Sequence, residues 1–399
     1  PFIDPRDFWP IACFGLTFKV WFIINLTLML IWMWRRKRRW IYNAFFLLIG
    51  FQFAARNVQF FNKPEKKDSD LSIATFNTYV YRSKSKKYIL VGSSSTLSSE
   101  VRYVDASNPT GEFTMFLKRE DDHEYGVAHY GDSWFVSTNW KAKNFRLMKT
   151  PEGATEKENW TDVIPHREDV LLEDLEIFND YLVLGERKNG LTNLRIIPWD
   201  GSEEHYIQFN DPAYMVYSSV NRDYDTKVLR YGYTSMTTPS SVYDYNMDTR
   251  EQELLKQQEV IGGYDVAEYE SKRFMATARD GKKVPISLVY KKGLKRPEGN
   301  PMLLYAYGSY GYSIDPGFSS TRLTLLDRGF VFAIAHIRGS QTLGREWYED
   351  GKMLHKKNTF NDFVDCSKFL IENKYTSAKH LYAMGGSAGG LLMGAIVNM

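Results

Sequence analysis

The sequence predicts a chain of three structurally different parts, and three observations lead to this prediction. Two long apolar runs near the amino terminus predict a transmembrane helical hairpin, and a strand-rich unit that recurs through the middle predicts a partial all-β propeller. In the last third, apolar strands alternate with a helical stretch, which predicts an α/β sheet. We place the hairpin at 1–61, a linker at 62–75, the propeller at 76–262 and the α/β part at 263–399.

The first part consists of two apolar runs separated by a short basic cluster. The run at 8–34 is long enough to cross a bilayer, whereas the run at 40–55 is shorter and only marginally so. The basic residues at 35–39 would stay on the cytoplasmic side, and the tryptophans beside them suit the membrane interface. We therefore expect membrane attachment, with both ends of the hairpin facing outward.

Composition argues against several classes of function. The net charge of +3 is too small to indicate nucleic-acid binding, and much of it comes from the basic cluster at 35–39. Cys13 and Cys366 lie far apart in unlike contexts, and they predict neither a disulfide framework nor a metal site. We expect no cofactor and no metal. Because the chain starts without methionine and stops inside a predicted helix, we also expect it to be a fragment.

Four similar strand units follow one another in the middle part. Each has an apolar strand, a polar turn and a closing strand, and the closing strands lie at 102–105, 146–148, 195–197 and 242–245. Their spacing of roughly 44 to 49 residues is typical of a four-stranded propeller blade. In the best-preserved unit, Asn189-Gly190 between two apolar strands is a strong hairpin signal.

Two features of the middle part resemble metal sites but are better explained as ordinary structure. His123 and His129 are too far apart to share one face of a zinc-protease helix, and Gly126 between them argues against a helix. The second feature is a run of acidic residues, which we interpret as a solvated strand edge and turn. It consists of Glu168, Asp169, Glu173, Asp174 and Glu176.

The α/β part is predicted from four strands and one helix before the end of the chain. The strands lie at 272–278 and 284–290, joined by a hairpin turn at Asp280-Gly281, and at 302–307 and 330–335. A helical stretch at 359–373 follows, and its apolar face consists of Phe360, Phe363, Val364, Phe369 and Leu370.

The end of the chain carries the pattern around which the α/β part is arranged. A short apolar strand at 380–384 leads to Gly385, Ser387 and Gly389, and an apolar helical stretch follows. This form of Gly-x-Ser-x-Gly is typical of a nucleophile elbow, in which the serine sits on a sharp, strained turn. Larger side chains at the two glycine positions would collide with the neighbouring strand and helix. The predicted fold class is therefore an α/β hydrolase, which ends here after the elbow.

Six segments of the last third resemble, in the same order, the prolyl oligopeptidase family of serine peptidases. They are 278–285 (ARDGKKVP), 305–311 (YAYGSYG), 336–340 (HIRGS), 344–352 (GREWYEDGK), 356–362 (KKNTFND) and 384–390 (MGGSAGG). The last two are most similar to the oligopeptidase B, or protease II, branch. The resemblance covers roughly residues 76–399, including the propeller, and leaves out residues 1–70.

The resemblance implies roles for three residues around the elbow. Ser387 would form the acyl-enzyme, and its oxyanion would be held by the backbone N–H of Ala388 and the phenol of Tyr307. We expect Arg338 to order a loop through ion pairs and His336 to be structural, because the triad histidine follows the serine in hydrolase chain order. The triad aspartate and histidine would lie beyond residue 399. Since a serine without its base is a weak nucleophile, we expect the 399-residue chain alone to be inactive.

The implied function is a serine endopeptidase that cleaves short peptides after basic residues, with the propeller restricting access. Its partners would be peptide substrates and not nucleic acid. Three alternative functions within the same fold are also compatible with the sequence: an acylaminoacyl peptidase, another aminopeptidase or an esterase. From another class, a membrane-tethered propeller that binds a partner and carries an inert hydrolase fragment is the alternative.

The amino-terminal hairpin carries a second resemblance. With the stretch at 71–77, it resembles the membrane anchor and first strand of endonuclease/exonuclease/phosphatase proteins, in which Asn77 would be a metal-site residue. Nothing after Asn77 continues that pattern, so we do not expect phosphodiesterase activity. Because the hairpin occupies the place of the early blades, we expect two unrelated genes to be joined near 71–77. The peptidase portion alone would then be cytoplasmic or periplasmic.

Overall fold

The structure, a computed structural model, describes residues 78–399 together with Thr27, Ile31 and Arg35. The chain divides into two compact units, Pro1–Ala74 and Thr75–Met399, and nearly all described residues belong to the second. The predicted transmembrane hairpin at 1–61 lies outside the described residues, apart from those three positions. Among the residues that are described, no helix has the length and apolar character needed to cross a membrane.

Four antiparallel sheets of four strands each follow one another along the chain, as expected for propeller blades. The first contains β1 Thr78–Arg82, β2 Tyr88–Ser94, β3 Ser99–Asp105 and β4 Thr114–Leu117, and the second contains β5 Tyr125–Tyr130, β6 Ser133–Thr138, β7 Arg146–Pro151 and β8 Thr161–Ile164. The third contains β9 Val170–Ile177, β10 Tyr181–Lys188, β11 Leu191–Pro198 and β12 His205–Tyr206, and the fourth contains β13 Tyr214–Ser218, β14 Val228–Ser235, β15 Ser241–Asn246 and β16 Gln252–Gln257.

The hairpin predicted at Asn189-Gly190 is confirmed. Strands β10 and β11 pair antiparallel from Tyr181 opposite Pro198 to Lys188 opposite Leu191, and the two turn residues between them have φ of 52° and 79°. Positive φ at both turn residues is the geometry that favours Asn-Gly in tight hairpins.

The segments that we predicted as closing strands are instead the third strands of their sheets, namely β3, β7, β11 and β15. A fourth, outer strand follows each of them. Two of these outer strands lack the apolar pattern of buried strands: β12 has only two residues, and all six residues of β16 are exposed.

Consecutive sheets are held together by apolar clusters between their faces. Every strand of a blade alternates its side chains between two faces, so each inner sheet can contribute to two clusters. Central residues are Phe116 and Trp134 between the first and second sheets, Leu147 and Leu182 between the second and third, and Ile196 and Tyr231 between the third and fourth.

The last third forms a five-stranded mixed sheet. Its strands are β17 Tyr269–Thr277, β18 Lys283–Lys291, β19 Met302–Tyr305, β20 Val331–Ala335 and β21 Leu381–Met384, in the spatial order β17-β18-β20-β19-β21. The pairs β17–β18 and β18–β20 are antiparallel, whereas β20–β19 and β19–β21 are parallel. Seven consecutive residues of β18 are buried, as expected for a strand covered on both faces.

Four α-helices accompany this sheet: α1 Ser320–Leu326, α2 Arg345–Glu349, α3 Lys356–Glu372 and α4 Ala388–Ile396. Short 3-10 helices lie at Lys157–Asn159, Val266–Glu268 and Met353–His355. Helices α3 and α4 pack on one face of the sheet, and α1 packs on the other.

Helix α3 begins three residues before the predicted start at 359, and its buried face is less apolar than predicted. Phe363 and Leu370 are buried as expected, but Asp362 and Asp365 lie on the same face and are also buried. An apolar pattern alone could not reveal these two carboxylates. Their burial is explained by two arginines that reach the helix from other segments.

A buried ion-pair cluster joins three segments of the α/β part. Arg338, 2% exposed, lies after β20, and its Nη2 is 2.6 Å from Oδ1 of Asp362 on α3. Its Nη1 donates to Asp280 in the β17–β18 turn at 2.6 Å, and Arg279 of the same turn forms a bidentate pair with Asp365. Although burial disfavours the charged guanidinium, hydrogen bonds to both carboxylates raise the pKa of Arg338 above its usual range.

The substitution Asp362→Asn should lower the free energy of unfolding by about 3–5 kcal/mol, because it leaves the Arg338 guanidinium without its buried counter-ion. Asp365→Asn is the matched control, since it breaks a pair whose arginine side chain is 45% exposed, and it should cost about 1 kcal/mol or less. Urea denaturation followed by tryptophan fluorescence measures both losses. Equal losses in the two variants would contradict the importance assigned to the buried pair.

Candidate active site

The predicted site residues meet at one edge of the mixed sheet. Strands β19, β20 and β21 run parallel, so the segments that follow them leave the sheet at the same edge. Tyr307 follows β19, His336 and Arg338 follow β20, and Ser387 follows β21. In open α/β sheets, ligands bind outside the carboxyl ends of the strands. This edge is therefore the candidate active site.

Ser387 sits on a strained turn between β21 and α4. Its backbone has φ of 52° and ψ of −122°, a region that residues other than glycine rarely adopt, and the residue is exposed. A Cβ atom on Gly385 would lie 2.6 Å from the carbonyl oxygen of Gly389, and one on Gly389 would lie 3.0 Å from that of Ala306. The predicted need for glycine at both flanking positions is confirmed by these contacts.

At the start of α4, not every backbone N–H has a backbone acceptor. Gly389 N–H donates to Gly386 O and Gly390 N–H to Ser387 O, each at 2.8 Å. The N–H of Ala388, the first residue of α4, has no backbone acceptor among the described residues. This N–H adds to the positive end of the helix, so the elbow can stabilise negative charge next to the serine.

Tyr307 lies beside the elbow. A Cβ atom on Gly389 would be 3.6 Å from both Cα and Cδ2 of Tyr307, so the tyrosine backbone and ring border the start of α4. Its ring meets that of Tyr312 edge to face, with centroids 5.9 Å apart. Within residues 78–399, the Tyr307 hydroxyl makes no hydrogen bond and can serve as a donor to a ligand.

His336 and Arg338 do not point into an open site. His336 is buried, and its Nε2 lies 2.8 Å from the hydroxyl of Ser287, while the indole N–H of Trp347 donates to its carbonyl oxygen. Burial lowers the pKa of His336 to about 3, so the imidazole is neutral. Together with the ion pairs of Arg338, this placement agrees with the structural roles predicted for both residues.

His123 and His129, the two histidines considered as zinc ligands, have separate structural partners. His129 lies in strand β5 and not in a helix, and its ring nitrogens contact Ser85 at 2.7 Å and Glu152 at 2.5 Å. His123 precedes the same strand and contacts the hydroxyl of Thr138 at 2.9 Å. Each histidine therefore has side-chain partners that join neighbouring strands.

The acidic run is only partly the solvated edge that we predicted. Glu173 and Glu176 lie on β9 and form ion pairs, the former with Arg187 at 2.7 Å and the latter with Lys84 at 2.5 Å. The difference arises because Glu173 and Glu176 face basic side chains from β10 and from the β1–β2 turn. Spacing along the sequence does not indicate such neighbours.

Two ion pairs connect the propeller strands with loops next to the candidate site. Arg187 on β10 forms a bidentate pair with Asp315, a few residues after Tyr307, at 2.5 and 3.0 Å. Arg345 at the start of α2 lies 2.5 Å from Glu124, which precedes β5. The third and second blades are thus fixed against the edge of the sheet that carries the site.

The described residues include no general base in contact with the elbow. Within residues 78–399, no histidine nitrogen or carboxylate lies within hydrogen-bonding distance of the Ser387 hydroxyl.

Sequence reasoning missed Lys356, whose ammonium contacts the loop after Tyr307. Its position three residues before the predicted helix was a weak signal, because lysines near helix ends are usually solvated.

Family profiles match three parts of the chain. The prolyl oligopeptidase N-terminal β-propeller domain matches residues 67–258, and the prolyl oligopeptidase family matches residues 316–399. Together these two matches cover well over half of the chain. A domain of unknown function matches residues 1–57. No function is known for that domain, so the match does not test the resemblance of the amino-terminal part to the membrane anchor of endonuclease/exonuclease/phosphatase proteins. That resemblance stays a prediction.

Individual relatives match the same region. Dipeptidyl aminopeptidase BI of Pseudoxanthomonas mexicana is 47% identical over 327 residues, which are 82% of this chain and 45% of that protein. Protease 2 of Moraxella lacunata is 38% identical over 335 residues, 84% of this chain and 47% of that protein. The structure of oligopeptidase B from Trypanosoma brucei with covalently bound antipain matches with a TM-score of 0.75 at 38% identity and covers 81% of this chain and 47% of that one. The chain thus spans about half the length of the relatives that it matches.

Proposed function

The chain belongs to the prolyl oligopeptidase family, and on that premise we propose that it supplies the nucleophile of a serine endopeptidase acting on short peptides. The observation that carries the proposal is the backbone of Ser387, held at φ of 52° between β21 and α4 with its side chain exposed. A strained, exposed serine at the start of a helix has the geometry that acyl transfer requires.

Each residue of the elbow has one role in the first chemical step. The Ser387 oxygen bonds to the carbonyl carbon of the scissile peptide, its proton passes to a histidine base, and the carbonyl π pair moves onto oxygen. The N–H of Ala388 and the phenol of Tyr307 donate to the oxyanion that results. In hydrolase chain order, the aspartate and the histidine of the triad follow the serine.

We propose cleavage after basic residues, with access limited by the propeller. Support for the specificity is the similarity to oligopeptidase B at 38% identity and the motifs at 356–362 and 384–390. Support for limited access is the attachment of two blades to the site edge through Arg187 and Arg345. Release of dipeptides from a free amino terminus is the second candidate, because the relative at 47% identity is named a dipeptidyl aminopeptidase.

Two reporter peptides separate these specificities, using protein translated from the complete reading frame that contains this sequence. An amino-terminally blocked Arg-Arg reporter should be cleaved efficiently if the enzyme is an endopeptidase, since no free amino group is then required. An unblocked dipeptide reporter with the same leaving group is the matched substrate. Cleavage of the unblocked reporter alone would replace the endopeptidase with the dipeptidyl aminopeptidase.

In the same protein, Ser387→Ala should abolish both hydrolysis and covalent labelling by a fluorophosphonate probe, because no other described serine occupies an elbow. Activity should fall by at least about a thousandfold, the scale expected when a triad nucleophile is removed. Labelling is read by gel fluorescence and the modified peptide by mass spectrometry. Labelling that persists in the alanine variant would refute the assignment of Ser387.

The variant Tyr307→Phe should lower kcat about a hundredfold with little change in KM, because the phenol acts on the oxyanion and not on the ground state. This loss corresponds to about 3 kcal/mol of transition-state stabilisation. Tyr382→Phe, on exposed strand β21, is the matched control and should leave kcat unchanged. Equal kcat in wild type and Tyr307→Phe would remove the phenol from the mechanism.

A further inference from the structure

The ammonium group of Lys356 is attached to the loop that carries Tyr307. Lys356 is the first residue of α3, and its Nζ donates to the carbonyl oxygen of Gly308 and lies 2.7 Å from the hydroxyl of Ser309. Gly308 is bonded directly to Tyr307. Both contacts therefore hold the segment immediately after the tyrosine whose ring borders the start of α4.

The placement of this lysine is electrostatically unfavourable. Its side chain is half-buried, and no carboxylate among the described residues lies within 4.0 Å of its Nζ. Burial without a counter-ion lowers the pKa of the Lys356 ammonium. Lys356 also stands at the positive end of a 17-residue helix whose first turn contains no acidic residue. Partial burial, the absence of a counter-ion and the positive end of the helix each disfavour a cation at this position. A lysine here is therefore not explained by a contribution to stability alone.

The loop has other contacts that maintain its fold without Lys356. The N–H of Gly311 donates to Gly339 O at 3.0 Å, and the N–H of Gln341 donates to Gly311 O at 3.1 Å. These bonds tie the far end of the loop to the segment after β20. The part nearest Tyr307 is held by the lysine and by one turn hydrogen bond, from Tyr312 N–H to Ser309 O at 3.0 Å. Removal of the lysine should therefore affect the tyrosine more than the fold.

We propose that Lys356 is a positioning residue for the oxyanion site, which holds the 307–309 segment so that the Tyr307 phenol is aimed at the oxyanion. This inference rests on the proposed function, because it assigns Lys356 a part in the same reaction. Lys356 does not touch the reacting atoms; it acts through Tyr307. A misplacement of about 1 Å is enough to cost up to a hundredfold in rate.

The test compares Lys356→Met with Lys357→Met in protein translated from the complete reading frame. Lys357 is the adjacent, exposed lysine of the same helix, so it controls for a change in charge and helix propensity. Lys356→Met should lower kcat roughly tenfold to a hundredfold with KM unchanged within about twofold. Lys356→Arg, which keeps a donor and the charge, should recover part of the loss, and Lys357→Met should behave as wild type.

A double-mutant cycle shows whether the lysine acts through the tyrosine. If the lysine acts through the tyrosine, Lys356→Met should lower kcat by a much smaller factor in the Tyr307→Phe variant than in wild type. The reason is that the phenol that Lys356 positions is already absent from that variant. Equal costs in the two backgrounds would overturn the positioning role. Should Lys356→Met fail to fold, as judged by urea denaturation, Lys356→Gln takes its place in the same cycle.

The controls separate failure of this inference from failure of the proposed function. If Ser387→Ala retains activity, or if Tyr307→Phe leaves kcat unchanged, the proposed chemistry is wrong. The positioning role of Lys356 is then refuted as well. If both variants behave as expected while Lys356→Met matches Lys357→Met, only the positioning role is overturned.

Discussion

The buried ion pair between Arg338 and Asp362 is the constraint on which the geometry of the site depends. Asp362 lies on α3, Arg338 lies in the segment after β20, and a second carboxylate, Asp280, reaches the same guanidinium from the β17–β18 turn. Three segments that are distant in sequence are thus fixed to one charged group. Because an unpaired charge in this position would be strongly destabilising, the three segments cannot move independently.

The position of α3 in turn determines two features of the candidate site. Its side chains pack with those of α4 on the same face of the sheet, so it supports the helix that begins immediately after Ser387. Its first residue, Lys356, contacts the loop after Tyr307. The nucleophile and the proposed oxyanion donor therefore depend on one helix, and that helix is held by Arg338 and Arg279.

Strain at Ser387 is tolerated because its surroundings leave the chain no alternative path. Main-chain atoms approach the two flanking positions closely: a Cβ atom would lie 2.6 Å from Gly389 O at position 385 and 3.0 Å from Ala306 O at position 389. The same close approach brings the start of α4 next to Tyr307. Blades of the propeller are fixed to this edge through Arg187 and Arg345, so the candidate site is bordered by both parts.

Several features could be predicted from the amino-acid sequence: the succession of strand-rich units followed by an α/β sheet, the hairpin at Asn189-Gly190 and the turn around Ser387. These features follow from local constraints, namely the period of apolar residues and the backbone conformations that Gly and Asn permit. The folded chain was needed to show that Asp362 and Asp365 are buried, that Glu173 and Glu176 are paired, and that Lys356 contacts the loop after Tyr307. Each of these depends on a partner more than ten residues away, and a single sequence contains no signal for which charged groups the fold will bring together.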